Sequence, residues 1–158
     1  MTKLTAATPS DREIVVQRTF DAPRRLVFQA FTTPDLVKRW LYGPEEWPLM
    51  KVEIDFRVGG KCRYVWRHKE HGDMAMGGTY REIVPPERTV HTELFDQDWT
   101  GGETVVTTLF EERDGWTTVT STVLYSSKEA RDNALKTPML EGWGQCYDRL
   151  DGLLATGW

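Results

Sequence analysis

The chain is poor in the residues that carry most nucleophilic and metal chemistry. It has two cysteines, Cys62 and Cys146, far apart and in unlike contexts, and three histidines, His68, His71 and His91. No Gly-x-Ser-x-Gly elbow is present, and neither cysteine has a local activating signature, so both read as small core residues with reduced thiols. His68 and His71 stand in an H-x-x-H spacing, but they flank a Gly-Asp turn, and a zinc site needs three or four convergent ligands. His91 falls on a different strand, with no obvious acidic or thiol partner. No glycine-rich phosphate loop occurs, because Gly59-Gly60 and Gly77-Gly78 sit in strand context as turn and bulge glycines. No metal and no cofactor is expected.

Other absences narrow the class. The formal net charge of −4 gives no basic footprint and argues against nucleic acid as a partner. No stretch approaches the roughly 20 apolar residues that span a bilayer, which argues against a membrane. Residues 1–12 lack the charged-then-apolar layout of a secretory signal, so a cytoplasmic address is expected. No repeat or low-complexity tract appears. The 39% hydrophobic and 28% charged fractions over 158 residues are those of one globular domain. A flexible leader is expected over 1–12 and the domain over 13–158.

What is present is strand pattern. Glu13–Phe20 places Ile14, Val16 and Phe20 on one face. Asp21 is the expected N-cap of a helix with Pro23 in its first turn, and Thr33-Pro34-Asp35 starts a second short helix. Leu49–Val58 alternates with Val52, Ile54 and Phe56 facing one way. Lys61–His68 alternates with Cys62, Tyr64 and Trp66 on one face. Glu53 and Asp55 are expected to be answered by Arg63 and Arg67 across that hairpin. Met74–Val84 and Arg88–Phe95 follow, separated by Pro85-Pro86-Glu87, and a loop is expected at Trp99–Gly102. Thr104–Glu112 and Trp116–Tyr125 are joined across Arg113-Asp114-Gly115, and Asp-Gly is a strong hairpin signal. Tight turns throughout predict antiparallel pairing. Ser127 caps a helix that Pro138 interrupts. The last helix, from Met139 to about Ala155, carries Leu140, Trp143, Tyr147, Leu150 and Leu154 at spacings of three, four, three and four. Gly142 and Gly144 in its first turns suggest close packing or an open cavity beside them.

Strand, two short helices, six strands and a long helix is an order that resembles the START-like (SRPBCC, helix-grip) superfamily. Phe20-Asp-Ala-Pro23 with Val27-Phe28-Gln-Ala30-Phe31, Trp40-Leu-Tyr-Gly-Pro44, Gly59-Gly60-Lys-Cys-Arg-Tyr64, Gly78-Thr-Tyr-Arg-Glu-Ile83 and Pro85-Pro-Glu-Arg88 resemble one branch of it. That branch is named after the activator of the 90-kDa heat-shock protein ATPase. Ser126-Ser-Lys-Glu-Ala-Arg131, Glu141-Gly-Trp143 and Asp148-Arg-Leu150 extend the match, which covers about residues 13–155. The chain departs at Thr137-Pro138-Met139, where relatives carry a Gly-Met junction. There the proline stiffens the link between the two helical pieces.

The resemblance implies an α+β helix-grip fold, a curved antiparallel sheet of six to seven strands around a long C-terminal helix. It also implies a pocket between sheet and helix. Trp40, Phe56, Tyr64, Trp66, Met74, Met76, Trp143 and Tyr147 are the residues expected on cavity-side faces or at its mouth, with Tyr80 or Tyr147 orienting a polar group. Assignment of Met74 and Met76 depends on register, since a bulge at Gly77-Gly78 would flip their face. Tyr64, Tyr80, Thr104, Thr108 and Tyr147 are the polar residues expected inside, and no carboxylate pair is found among them. The expected function is non-catalytic binding of a small apolar molecule. Regulation of a heat-shock chaperone ATPase is one alternative, although the named activator also has a separate chaperone-binding domain. A cyclase- or hydratase-like enzyme acting on an aromatic or polyketide-like substrate is another. A homodimer would cover an exposed sheet edge.

Overall fold

The alternation of residues 13–20 survives into three dimensions. Ile14, Val16 and Phe20 are fully buried on one face of β2 (Glu13–Phe20) in the computed structural model, which describes residues 3–98 and 101–158. Trp99, the first residue of the expected loop, lies outside the described residues. Helices α1 (Arg24–Thr32) and α2 (Pro34–Val37) follow. Then come β3 (Leu49–Ile54), β4 (Lys61–His68), β5 (Gly72–Val84), β6 (Arg88–Phe95), β7 (Thr104–Arg113) and β8 (Trp116–Leu124). Helices α3 (Lys128–Leu135) and α4 (Met139–Thr156) close the chain.

Among the described residues the sheet has eight strands, in the order β1-β2-β8-β7-β6-β5-β4-β3, where β1 is Thr5–Ala7. The count exceeds the expected six to seven because a segment read as leader pairs with β2, Thr5 opposite Gln17. That Thr-Ala-Ala strand is exposed on both faces, so no apolar alternation announces it. All neighbouring pairs are antiparallel. The β7–β8 turn is the expected one: Arg113 pairs with Trp116, and Asp114 and Gly115 both have positive φ, 53° and 81°.

Several local expectations change. Asp21 does not cap α1; Pro23 is its N-cap residue, and the Arg24 N–H donates instead to Glu112 Oε1 at 2.7 Å. The helix start is thus satisfied from the end of β7, a partner that only folding supplies. Glu53 does lie opposite Arg63, yet the Arg63 guanidinium grips Asp96 at 2.5 Å, Arg67 grips Asp73, and Asp55 takes Arg57. Arg63 and Arg67 each take a carboxylate bidentately, and for Arg67 that carboxylate is its cross-strand neighbour on β5 rather than one on β3.

Register through Gly77-Gly78 is continuous: Tyr64 faces Met76, Arg63 faces Gly77 and Cys62 faces Gly78. The bulge falls later, between Tyr80 and Glu82 against β6. Gly78 answers a different need, since a Cβ there would lie 1.8 Å from the Thr92 carbonyl oxygen. Met74 and Met76 consequently share a face with Trp66 and Tyr64.

Helix α4 lies in the concave face. Its buried residues Cys146, Tyr147 and Leu150 meet Phe20, Phe110 and Val119 of the sheet and Val27 and Ala30 of α1. Arg18 shares the inner face of β2, almost wholly buried, and reaches Asp148 at 2.7 Å and Asp151 at 3.4 Å on α4. Trp40 Nε1 donates to the Ala30 carbonyl at 3.0 Å and ties the turn after α2 to α1.

Replacing Gly78 by alanine is expected to destabilise the protein by about 2 kcal/mol or more through overpacking against β6. Gly77→Ala, whose Cβ would meet nothing closer than 3.4 Å, should change stability by less than about 0.5 kcal/mol. Urea titrations of the two variants check the contrast; equal effects would remove the close-approach account.

Candidate functional site

Because side chains alternate along a strand, one face of each strand builds the wall over which α4 lies. On most strands that face is apolar. On β6 the alternation is inverted: Thr89, His91 and Glu93 border an internal cavity, whereas exposed Leu94 faces away. Cross-strand neighbours continue the polar patch, with Thr108 opposite Thr89 and Ser121 opposite Thr108.

The cavity measures about 110 Å³. Its sheet side also has Tyr64, Tyr80 and Val106. Its cover is Phe31 and Thr32 of α1, Val37, Trp40 and Leu41 of the α2 region, and Trp143 and Tyr147 of α4. A second cavity of about 180 Å³ lies beside it, lined by residues that include Tyr125, Val123, Thr104 and Met139. Glu93 and Trp143 border both. The partly buried Trp143 indole packs against the two core clusters on either side and stands between the cavities.

Five of the nine expected residues are in the wall of the first cavity: Trp40, Tyr64, Tyr80, Trp143 and Tyr147. Phe56, Trp66, Met74 and Met76 pack in the adjoining apolar cluster beneath Leu41, Tyr42 and Trp47. Trp66 is held there by its Nε1, which donates to the Leu41 carbonyl at 2.8 Å. The turn after α2 covers that part of the sheet, so a correct face assignment did not by itself place these side chains at the cavity. Among the polar residues expected inside, Thr108 lines the first cavity and Thr104 the second.

The polar groups are organised. His91 Nε2 and Glu93 Oε2 are 2.9 Å apart, with the side chains 15% and 29% exposed. His91 Nδ1 is buried without a hydrogen-bond partner among the described residues. Tyr64, Tyr80 and Cys62 lie close enough to influence one another's titration. Burial, with the Glu93 carboxylate adding to it, holds both phenols above their ordinary pKa, so they remain protonated donors. Tyr147 is likewise pushed up by burial, to about 12, against the opposing effect of its contacts with the Trp143 indole N–H and the Ser121 hydroxyl.

His91 and Glu93 are the residues that sequence reasoning missed. Their strand, Arg-Thr-Val-His-Thr-Glu-Leu-Phe, has no clean apolar alternation, so nothing marked its polar face as the inner one. The signal was period two itself: Thr89, His91 and Glu93 must share a face. Elsewhere, His68 Nδ1 accepts the backbone N–H groups of Glu70 and His71 at 3.0 and 3.1 Å, and its ring lies 4.9 Å from that of Trp47. That pair organises a turn. Among the described residues, no three His, Cys, Asp or Glu side chains converge as metal ligands. No helix among them is long and apolar enough to cross a membrane.

A curved antiparallel sheet holding a C-terminal helix over an internal cavity defines the helix-grip class. Residues 21–155 match the family described as Activator of Hsp90 ATPase homolog 1-like protein, and the chain belongs to that family. A crystal structure of a Rhodobacter sphaeroides protein is similar over 98% of this chain and 99% of that one, with 30% identity and a TM-score of 0.93. A Chromobacterium violaceum protein shares 28% identity over 90% of this chain and 96% of that one, with a TM-score of 0.74. A Nitrosomonas europaea protein at 20% identity shares the fold, over 94% of this chain and 97% of that one, with a TM-score of 0.83. No curated protein matches the chain.

Both thiols are buried and pushed up by desolvation, Cys62 to about 11 and Cys146 to about 12. At pH 8 only about one Cys62 in a thousand is thiolate. A disulfide reagent should therefore label the native protein slowly and both cysteines at once after unfolding in guanidinium. Rapid labelling of Cys62 in the native state would contradict the packing described.

Proposed function

We propose that the protein binds a small, largely apolar ring compound in the cavity between the sheet and α4, without transforming it. The observation that carries this reading is the cavity itself, bordered by Trp40, Tyr64, Tyr80, Trp143 and Tyr147 at the centre of the fold. Ligand sites are concave, aromatic-lined and supplied with a few polar groups that fix orientation. The size limits the ligand. Drug-sized molecules occupy roughly 300 Å³ or more, whereas a dry cavity of about 150 Å³ accommodates benzene. A volume of about 110 Å³ suits one ring. A longer molecule requires Trp143 to swing aside and join the second cavity. With Trp143 in place, its edge-on contact with Tyr147, at 6.2 Å and 80°, supplies aromatic surface beside a single ring. We place this activity in the cytoplasm, a reading supported by two buried, unpaired thiols.

Regulation of a chaperone ATPase is a second reading, supported by the family description. It predicts altered turnover of a 90-kDa heat-shock ATPase when this protein is added; unaltered turnover removes it.

Native mass spectrometry and calorimetric titration with a library of one- and two-ring compounds test the binding reading. Single rings should bind the unmutated protein. Trp143→Ala should weaken them by about tenfold, as expected for loss of an aromatic contact of order 1 kcal/mol or more, while admitting two-ring compounds that the unmutated protein rejects. No binding by either protein across the library would overturn the proposal.

A further inference from the structure

Glu93 is the one carboxylate in the wall of either cavity, and no lysine or arginine lines either of them among the described residues. Its one hydrogen-bond partner through the side chain among those residues is His91, which touches Oε2 and leaves Oε1 without one. The contact with the imidazole occupies one carboxylate oxygen and leaves the other for a ligand. The negative field is felt throughout the pocket: after burial, the Glu93 carboxylate contributes to the raised pKa of Tyr64, Tyr80 and Tyr125. Aromatic side chains surround it, Tyr64 and Tyr80 on one side, Tyr125 on the other, and Trp143 between. A carboxylate among aromatic side chains suits an organic cation, because ring faces attract positive charge through their quadrupoles and the carboxylate takes its N–H groups in charge-assisted hydrogen bonds. Anionic ligands are repelled by the same field.

We propose that the ligand of this cavity is a protonated primary amine carried on a small apolar ring, with the ammonium group on Glu93 Oε1 and the ring among Trp40, Tyr147 and Trp143. His91 acts as a positioning residue that holds the carboxylate at the junction of the two cavities. The inference rests on the cavity reading above and specifies its ligand.

The test is a ligand-observed NMR titration with four probes of one size: benzylamine, benzyl alcohol, toluene and benzoate. Benzylamine should bind about tenfold more tightly than benzyl alcohol, because the ammonium adds ion-pair attraction to the hydrogen bond that the alcohol also makes, and benzoate should not bind. Glu93→Gln should remove the amine preference while leaving toluene, which makes no hydrogen bond, within about twofold. With ¹⁵N-histidine labelling, the His91 ring signal should move on adding benzylamine, while those of His68 and His71, on the distant turn, stay still. The unmutated ladder decides the matter even if the variant fails to fold. Toluene or benzyl alcohol binding as tightly as benzylamine would overturn this inference and leave the cavity reading standing. Failure of all four probes would overturn both.

Discussion

Tyr147 is where the fold closes. Its ring is fully buried against Phe20, at 5.2 Å, and lies within about 6 Å of the Phe31 and Trp40 rings, so one side chain of α4 touches β2, α1 and the turn after α2. Its hydroxyl meets Ser121 on β8 and the indole of Trp143 one helical turn away. Four elements that are distant in sequence are thereby fixed to one helix position. The Arg18 link to Asp148 and Asp151 helps to set the helix rotation from β2. Burying a guanidinium this deeply is tolerable because carboxylates receive it. With rotation set, Trp143 and Tyr147 must point into the concave face.

That constraint explains why a cavity exists at all. The inner face of the sheet is mostly apolar at β2, apart from the ion-paired Arg18, where α4 packs directly, and apolar again at β4, where the turn after α2 covers it. Between them lies the polar patch of β6. Packing it tightly against an apolar helix face would strand its hydrogen-bonding groups, which is unfavourable by about 1–3 kcal/mol for each unsatisfied buried group. A gap with a hydrogen-bonded pair, His91 with Glu93, is the arrangement that the fold tolerates. Places where local pattern and burial disagree are where function is to be sought.

The architecture was legible because periodicity survives folding. The strands of β2, β4, β7 and β8, the Asp114-Gly115 hairpin, the Ser127 cap and the α4 stripe all depend on interactions within a few residues, and each stands where pattern and turn chemistry put it. The α1 cap failed because its acceptor, Glu112, is eighty-eight residues away. The β1 edge failed because backbone pairing without an apolar face leaves no trace in composition. Trp66 and the methionines were assigned the correct face but not the correct cover, since the course of the turn after α2 is a tertiary fact.

By itself, the sequence determined the fold class, the family and the aromatic character of the inner surface, because alternation and helical spacing decide which side chains must leave water. Only the tertiary structure decided the small volume of the cavity, its division by Trp143 and the presence of His91 and Glu93 in its wall. Those depend on how α4 rotates and how the sheet curves, and both are set by contacts between residues a hundred or more positions apart. A polar residue on an inward face reads as an exception in one dimension. In three dimensions it becomes a site, because burial gives its charge a reach that water would deny it.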